Sequence, residues 1–281
     1  MSTGADENID LATVEGFGEE WTRFSFKDRP AAELDDAFED YFSLFPWESL
    51  PHNAIGFDAG CGSGRWAARV APRVGTLHCV DASSSALQVT QANLSGHSNV
   101  QLHLAGIADI PLPDSSMDFG YSLGVLHHMP DTQAGLSACV RKLKPGAPFL
   151  LYLYYSLDNR SALYRGIWKA TDMLRRHVSA LPFATRRAVS EVIAHTVYWP
   201  LARSALLAER LTGRDVSAIP LASYRHRTLY VMRNDALDRF GTRLEQRFSR
   251  EEIAEMMERA GLTGIGFREG PPFWCAVGRR A

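Results

Sequence analysis

A glycine-rich turn between two apolar segments constrains this chain more than any other feature. The turn, Asp58-Ala59-Gly60-Cys61-Gly62-Ser63-Gly64, follows the apolar run Ala54–Phe57 and precedes a segment with helical character. Glycines let a backbone turn tightly and approach a ligand without a Cβ in the way, and a helix start offers unpaired N–H groups. The pattern therefore predicts a strand, a ligand-binding turn and a helix.

A second carboxylate follows the next apolar segment. Leu77–Val80 is predicted as a strand, and Asp81 comes directly after it. A carboxylate at this position can accept hydrogen bonds from both ribose hydroxyls of an adenosine. The dinucleotide fingerprint requires the spacing G-x-G-x-x-G, whereas this turn reads D-x-G-x-G-x-G. Asp58, at the start of the turn, would repel a pyrophosphate but suits a cationic ligand.

These residues resemble the class I S-adenosylmethionine-dependent methyltransferases, whose first motif reads like D-x-G-C-G-x-G. The cofactor of that family carries a sulfonium and an amino group but no phosphate, which agrees with the position of Asp58. The resemblance covers about Ala54–Tyr155 and Ser249–Arg280. It implies an α/β, Rossmann-like fold: a seven-stranded, mostly parallel sheet with one antiparallel strand, helices on both faces, and a helical cap inserted before the last helix and strand pair.

The resemblance also implies S-adenosyl-L-methionine as cofactor. The segment Gly16–Phe24 is similar to openings that close the cofactor pocket in some small-molecule methyltransferases, although a helix that simply caps the sheet is the alternative. Ile107 stands where the family often has an acid, so adenine contacts would fall to backbone groups, and Asp109 is expected to face solvent. The predicted cofactor-binding residues are Trp21, Asp58, Ala59, Gly60, Gly62, Gly64, Asp81, Ala82, Ser83, Gly106, Ile107, Ala108, Leu123 and Gly124.

Candidate catalytic residues follow the fourth and fifth predicted strands. His127 and His128 come after the strand Phe119–Leu123, and imidazole titrates near neutral pH. They serve either as a base or as residues that order the loop. Tyr154 lies at the tip of the predicted strand Pro148–Tyr155, where a core role is the alternative. The predicted catalytic residues are His128, Tyr154 and His226.

A basic insertion interrupts the α/β alternation between Asp158 and Arg250. It contains 17 Lys and Arg against 8 Asp and Glu, a net charge of +9, while the rest of the chain has 13 against 24, or -11. The insertion either provides solubilising arginines or attracts an anionic substrate. His226 lies between two arginines, which predicts a neutral imidazole. The predicted substrate-binding residues are Asn159, Arg160, Tyr224, Arg225 and Arg227. The predicted division is a lid (1–53), a cofactor-binding core (54–157), a substrate cap (158–248) and the end of the core (249–281).

Composition limits the class of protein. The chain has 281 residues, 46% of them hydrophobic, and a net charge of -2, which argues against bulk nucleic-acid binding. Four cysteines without metal-binding spacing, and a polar N-terminus without a signal-peptide pattern, predict a cytoplasmic protein with no metal and no transmembrane segment. The sequence thus predicts methyl transfer to an O or N atom of a small or carrier-linked metabolite. A nicotinamide oxidoreductase, an RNA or protein methyltransferase, and a non-catalytic cofactor-binding protein that docks on a membrane are the alternatives. Peripheral membrane contact and the oligomeric state stay open.

Overall fold

The chain divides into two compact units. The computed structural model describes residues 8–26, 31–159, 162–216 and 219–281. The first unit comprises residues 1–159 and 244–281, and the second comprises residues 160–243. The predicted substrate residue Arg160 lies outside the described residues. None of the helices in the described part of the chain is long and apolar enough to cross a membrane.

The first unit is built on one seven-stranded sheet of order β3-β2-β1-β4-β5-β7-β6. β1 to β5 pair in parallel, and β7 runs antiparallel to both of its neighbours. The predicted mostly parallel sheet with one reversed strand is therefore confirmed. Connections leave β1 and β4 in opposite directions, so the carboxyl ends of these two strands form the switch point where open α/β sheets bind ligands. The strands are β1 (Ile55–Ala59), β2 (Thr76–Asp81), β3 (Val100–Leu104), β4 (Phe119–Leu123), β5 (Pro148–Tyr152), β6 (Leu262–Phe267) and β7 (Ala276–Arg280).

Helices cover both faces of this sheet. Phe57 and Phe149 belong to one apolar cluster, while Phe119 and Tyr121 belong to a second. β4 is buried at all five residues, as expected for a strand covered on both faces. Ser249 and Glu252 have the sequence spacing of a capping box, and they do exchange side-chain to backbone hydrogen bonds at the start of the last helix. The helices are α1 (Leu11–Arg23), α2 (Ala31–Phe42), α3 (Ala67–Val70), α4 (Ser84–Asn93), α5 (Thr132–Lys142) and, at the end, α10 (Arg250–Arg259).

Two strands end earlier or start later than the sequence predicts. β5 stops at Tyr152 instead of Tyr155, because the chain beyond it pairs with Phe248: the Phe248 N–H donates to the Tyr154 carbonyl, and the Ser156 N–H donates to the Phe248 carbonyl. The apolar run Pro272–Val277 predicts a closing strand, but the last strand starts at Ala276. Proline has no N–H for a strand ladder, and the Pro272 carbonyl instead accepts a turn hydrogen bond from Cys275.

The second unit is helical. Its apolar cluster joins Tyr198, Met232 and Phe240. Pro200 would interrupt a regular helix, and a wide π turn, Ala194–Tyr198, lies one residue before it. Proline cannot donate a helical hydrogen bond and its ring crowds the preceding turn, so a wider turn accommodates it. The helices are α6 (Ala162–Ser179), α7 (Phe183–Ile193), α8 (Trp199–Thr212) and α9 (Leu229–Gly241).

Candidate functional site

The glycine-rich turn follows β1 and is held against the end of β2. The N–H groups of Gly60 and Cys61 both donate to the Val80 carbonyl, at 2.8 and 3.0 Å. Gly60 has φ 83°, and a Cβ there would lie 2.5 Å from both methyl carbons of Val125. Only glycine therefore fits the point where this turn meets the loop after β4.

Asp81 ends β2 and faces the same turn. Its Oδ2 accepts from the Gly62 N–H at 2.9 Å, and its Oδ1 accepts from the Ser83 N–H at 2.8 Å. Burial raises the pKa of this carboxyl, while the backbone N–H groups oppose that shift. Each oxygen keeps a second lone pair, so Asp81 can accept further hydrogen bonds from a diol.

Asp58 is the second carboxyl of the site and is buried at the end of β1. Its Oδ2 has no hydrogen-bond partner among the described residues. Burial raises the pKa of Asp58 to about 8, with the Tyr121 hydroxyl opposing the shift. A buried acceptor without a partner is costly, and a cationic donor placed against it would relieve that cost.

The raised pKa of Asp58 predicts a pH dependence of stability. Native Asp58 keeps its proton up to about pH 8, whereas the unfolded carboxyl loses it near 3.8. Because the native state binds more protons in this window, the free energy of unfolding should fall as pH rises from 4 to 8, by at most about 1.4 kcal/mol per pH unit from this group. Asp58→Asn should remove this contribution, so that the variant gains stability relative to wild type with rising pH. Urea unfolding of both proteins at pH 5 and pH 8 checks it, and parallel profiles would contradict it.

Helix α1 contacts the loops that follow the first four strands. A Cβ on Gly62 would lie 2.9 Å from the indole of Trp21, so that ring covers the glycine turn. The ring of Phe17 lies 4.8 Å from that of His128.

Just before the helix, the Asn8 side chain forms hydrogen bonds with both the backbone N–H and the backbone carbonyl of Asp131. Gly18 packs on Ser83, and Ile9 lies beside Gly106.

The loops after β3 and β4 complete this edge of the sheet. Ile107 is buried in the core, while Asp109 is exposed, as the sequence predicts. Leu123 is buried, and Gly124, with φ 79°, donates its N–H to the Tyr152 carbonyl at 3.0 Å. The predicted cofactor-binding residues, Trp21 included, thus lie together at the carboxyl ends of β1 to β4, on the loops that follow them and on α1.

His127, His128 and Tyr154 form an aromatic cluster after β4 and β5. The ring of His127 lies 3.9 Å from that of His128 and 3.9 Å from that of Tyr154. Burial lowers the pKa of His127 well below its usual value, which keeps it neutral. His128 Nδ1 lies 2.7 Å from the Leu244 carbonyl. A carbonyl only accepts, so Nδ1 carries a proton, and in the neutral imidazole the lone pair is therefore on Nε2.

The segment Leu244–Phe248 lines this cluster and was missed by sequence reasoning. The Gln246 N–H donates to the His127 carbonyl, and the Gln246 side chain donates to that of Met129. The Arg247 guanidinium lies 5.1 Å from the Tyr154 ring and bonds Glu245 at 2.8 Å. The Glu245 side chain is 1% exposed, and its Oε2 has no hydrogen-bond partner among the described residues. The only feature of the sequence that could have indicated this segment is its charged and polar run, Glu245-Gln246-Arg247.

The other predicted substrate and catalytic residues fall into two places. Asn159 is exposed at the end of the first part of the first unit. The second unit contains Tyr224, Arg225, His226 and Arg227. The Nε and one Nη of the Arg225 guanidinium donate to the Glu209 carboxylate, at 3.0 and 2.9 Å. The argument for His226 considered only its two arginine neighbours, but the carboxylate of Glu209 also lies 3.1 Å from its ring. The Arg225 guanidinium is therefore already paired with a carboxylate of this chain, which the sequence did not indicate. Tyr224 packs 5.4 Å from Tyr198, and the Arg227 carbonyl accepts from Arg203.

An open α/β sheet with a glycine-rich turn and the buried Asp58 at its switch point, and with Asp81 beside the turn, has the arrangement in which doubly wound folds bind ligands. Comparison with known proteins narrows the class. Residues 57–151 match the methyltransferase domain family. This part of the chain is therefore similar to known methyltransferase domains, which supports the resemblance to the class I S-adenosylmethionine-dependent methyltransferases predicted from the sequence.

Relatives match parts of the chain only. An uncharacterized methyltransferase of Mycobacterium bovis is 31% identical over 42% of this chain and 60% of its own length. A malonyl-[acyl-carrier protein] O-methyltransferase of Serratia marcescens is 29% identical over 49% and 52%, and a ubiquinone biosynthesis O-methyltransferase of Hahella chejuensis is 26% identical over 55% and 64%. The chain thus spans about half to two thirds of the length of these relatives. A solved structure described as a possible exported protein from Bordetella parapertussis shares the fold, with a TM-score of 0.53 at 14% identity over 92% of this chain and 72% of its own.

The residues at the sheet edge fit the cofactor of this family. The unpartnered Asp58 oxygen suits a cationic donor, and the Asp81 carboxylate suits a ribose diol. Within the described residues, no group of three or more His, Cys, Asp and Glu side chains could hold a metal ion.

Proposed function

We propose that this protein is an S-adenosylmethionine-dependent methyltransferase that acts on an O or N atom of a small or carrier-linked metabolite. The observation that carries the proposal is the pair of carboxyl groups beside the glycine-rich turn, the buried Asp58 and the half-buried Asp81. When bound, the cofactor supplies an electrophilic methyl group on a sulfonium.

The roles proposed for the chain's own residues follow from their chemistry. Asp81 accepts from the ribose hydroxyls, and Asp58 faces the cationic end of the cofactor. Backbone groups of Gly106–Ala108 and of Leu123 and Gly124 supply the remaining polar contacts. Helix α1 excludes water from this edge, because Trp21 covers Gly62 and Phe17 covers His128. Most of the rate then comes from alignment of the two reactants.

His128 is the best-supported base. Its Nδ1–H is held by the Leu244 carbonyl, so Nε2 is the nitrogen that can accept the proton of an acceptor hydroxyl. Tyr154 packs at 5.6 Å from His128 and orients it. An oxygen acceptor is further supported by relatives named as O-methyltransferases, one of which takes a carrier-linked substrate. The basic second unit, residues 160–243, supports an anionic acceptor.

His128→Ala should separate catalysis from cofactor binding. Loss of the base should lower kcat by about 100-fold or more for a hydroxyl acceptor. Binding of S-adenosylhomocysteine should change less than about threefold, because the cofactor contacts stay in place. The test measures release of S-adenosylhomocysteine over a panel of hydroxylated and carboxylated acceptors, with calorimetry for affinity.

The matched control is His97→Ala, a histidine in the turn after α4. It should leave both quantities near wild type. Equal rates for His128→Ala and wild type would rule out His128 as the base, whereas no turnover with any acceptor together with no cofactor binding would overturn the proposed function.

A further inference from the structure

One side of the helical stretch Phe183–Thr212 of the second unit exposes three large aliphatic side chains. Val192, Leu207 and Leu211 are 60%, 57% and 76% exposed. The opposite side is buried at Ala194, Tyr198, Ala202 and Ala205. The exposed positions recur every three or four residues and are Val192, Thr196, Pro200, Ser204, Leu207 and Leu211.

These positions form one long stripe. At 1.5 Å per residue, Val192 and Leu211 lie about 28 Å apart along the helical axis. Large aliphatic side chains at this exposure leave apolar area in water, and burial of that area is favourable. The arrangement resembles helices that lie in the plane of a membrane interface.

The helical stretch carries a net positive charge. Both acids of the helical stretch are engaged in bidentate ion pairs: Glu191 with Arg233, at 2.6 Å for each bond, and Glu209 with Arg225. Arg187 and Arg210 are exposed on the same stretch. Over the whole second unit, 15 Lys and Arg stand against 6 Asp and Glu, a net charge of +9.

We propose that this stripe docks the protein on an anionic lipid surface. Aliphatic side chains would enter the boundary between headgroups and acyl chains, and the arginines of the second unit would meet the negative headgroups. Charge complementarity favours this occupant. A second copy of the chain would bring two units of charge +9 together, and a nucleic acid would leave the leucines and valine without an apolar partner.

The test is co-sedimentation of the full chain with vesicles. Wild type should bind vesicles containing phosphatidylglycerol and should bind pure phosphatidylcholine at least about tenfold more weakly. The double variant Leu207→Glu/Leu211→Glu should lose about tenfold or more of the binding to anionic vesicles. Leu104→Glu is the matched control, since Leu104 is 63% exposed but lies in the first unit, and it should bind like wild type.

Three results would overturn the proposal: no binding of wild type to anionic vesicles, equal binding of the double variant and wild type, or a wild-type dimer in solution that the double variant dissociates while vesicle binding is absent. Calorimetry with S-adenosylhomocysteine on the same samples reports on the cofactor site separately. A double variant that binds this ligand normally is folded, so its loss of vesicle binding reflects the stripe alone. Failure of vesicle binding would therefore leave the proposed methyl transfer intact.

Discussion

Replacing Asp81 with alanine should weaken the binding of S-adenosylhomocysteine by about 100-fold or more. The substitution removes an acceptor for the ribose hydroxyls, and a hydrogen bond to a charged group contributes about 1.5–3 kcal/mol. It also leaves the N–H groups of Gly62 and Ser83 without the carboxylate that now fixes them. Titration calorimetry on the variant and the wild type measures the effect.

Two further variants sharpen this experiment. Asp81→Asn keeps the shape and one acceptor oxygen, so its affinity should fall between those of wild type and the alanine variant. Asp109→Ala removes an exposed carboxylate at a neighbouring loop and should change affinity less than about twofold. Unchanged binding by Asp81→Ala would contradict the placement of the ribose. A large loss of affinity in Asp109→Ala would instead indicate that the Asp109 side chain contacts the adenine.

Gly60→Ala should both destabilise the protein and impair cofactor binding. The new methyl group would collide with Val125, and a backbone at φ 83° is strained for any residue with a side chain. Together these effects should lower the free energy of unfolding by about 2–4 kcal/mol. Because Val125 precedes the loop that carries His127 and His128, its displacement should also reduce affinity for S-adenosylhomocysteine by about tenfold or more. Urea unfolding and calorimetry measure the two effects.

The control is Gly96→Ala, where an added Cβ meets no heavy atom within 4 Å. Its stability should change by less than about 1 kcal/mol. The combined variant Gly60→Ala/Val125→Ala removes both methyl carbons from the collision and should recover part of the stability. Wild-type stability in Gly60→Ala alone would show that the turn relaxes without cost.

The sequence alone was enough to predict the α/β core and the edge of the sheet where the proposed cofactor site lies, at the carboxyl ends of β1 to β4. The glycine spacing, the two acids and the apolar strands are local patterns, and each follows from what a backbone can do within a few residues. Gly60 and Asp81 therefore lie where the sequence puts them, at the carboxyl ends of neighbouring strands. The capping box at Ser249 is local in the same sense.

Only the tertiary structure decided how distant segments complete the site. His128 meets the Leu244 carbonyl across 116 positions of sequence, and Asn8 meets Asp131 across 123. The sequence suggested that Arg225 binds an anionic substrate, but in the structure its guanidinium is paired with Glu209, 16 positions earlier. No periodicity encodes such contacts, because they depend on how whole elements pack, and packing is a property of the folded chain.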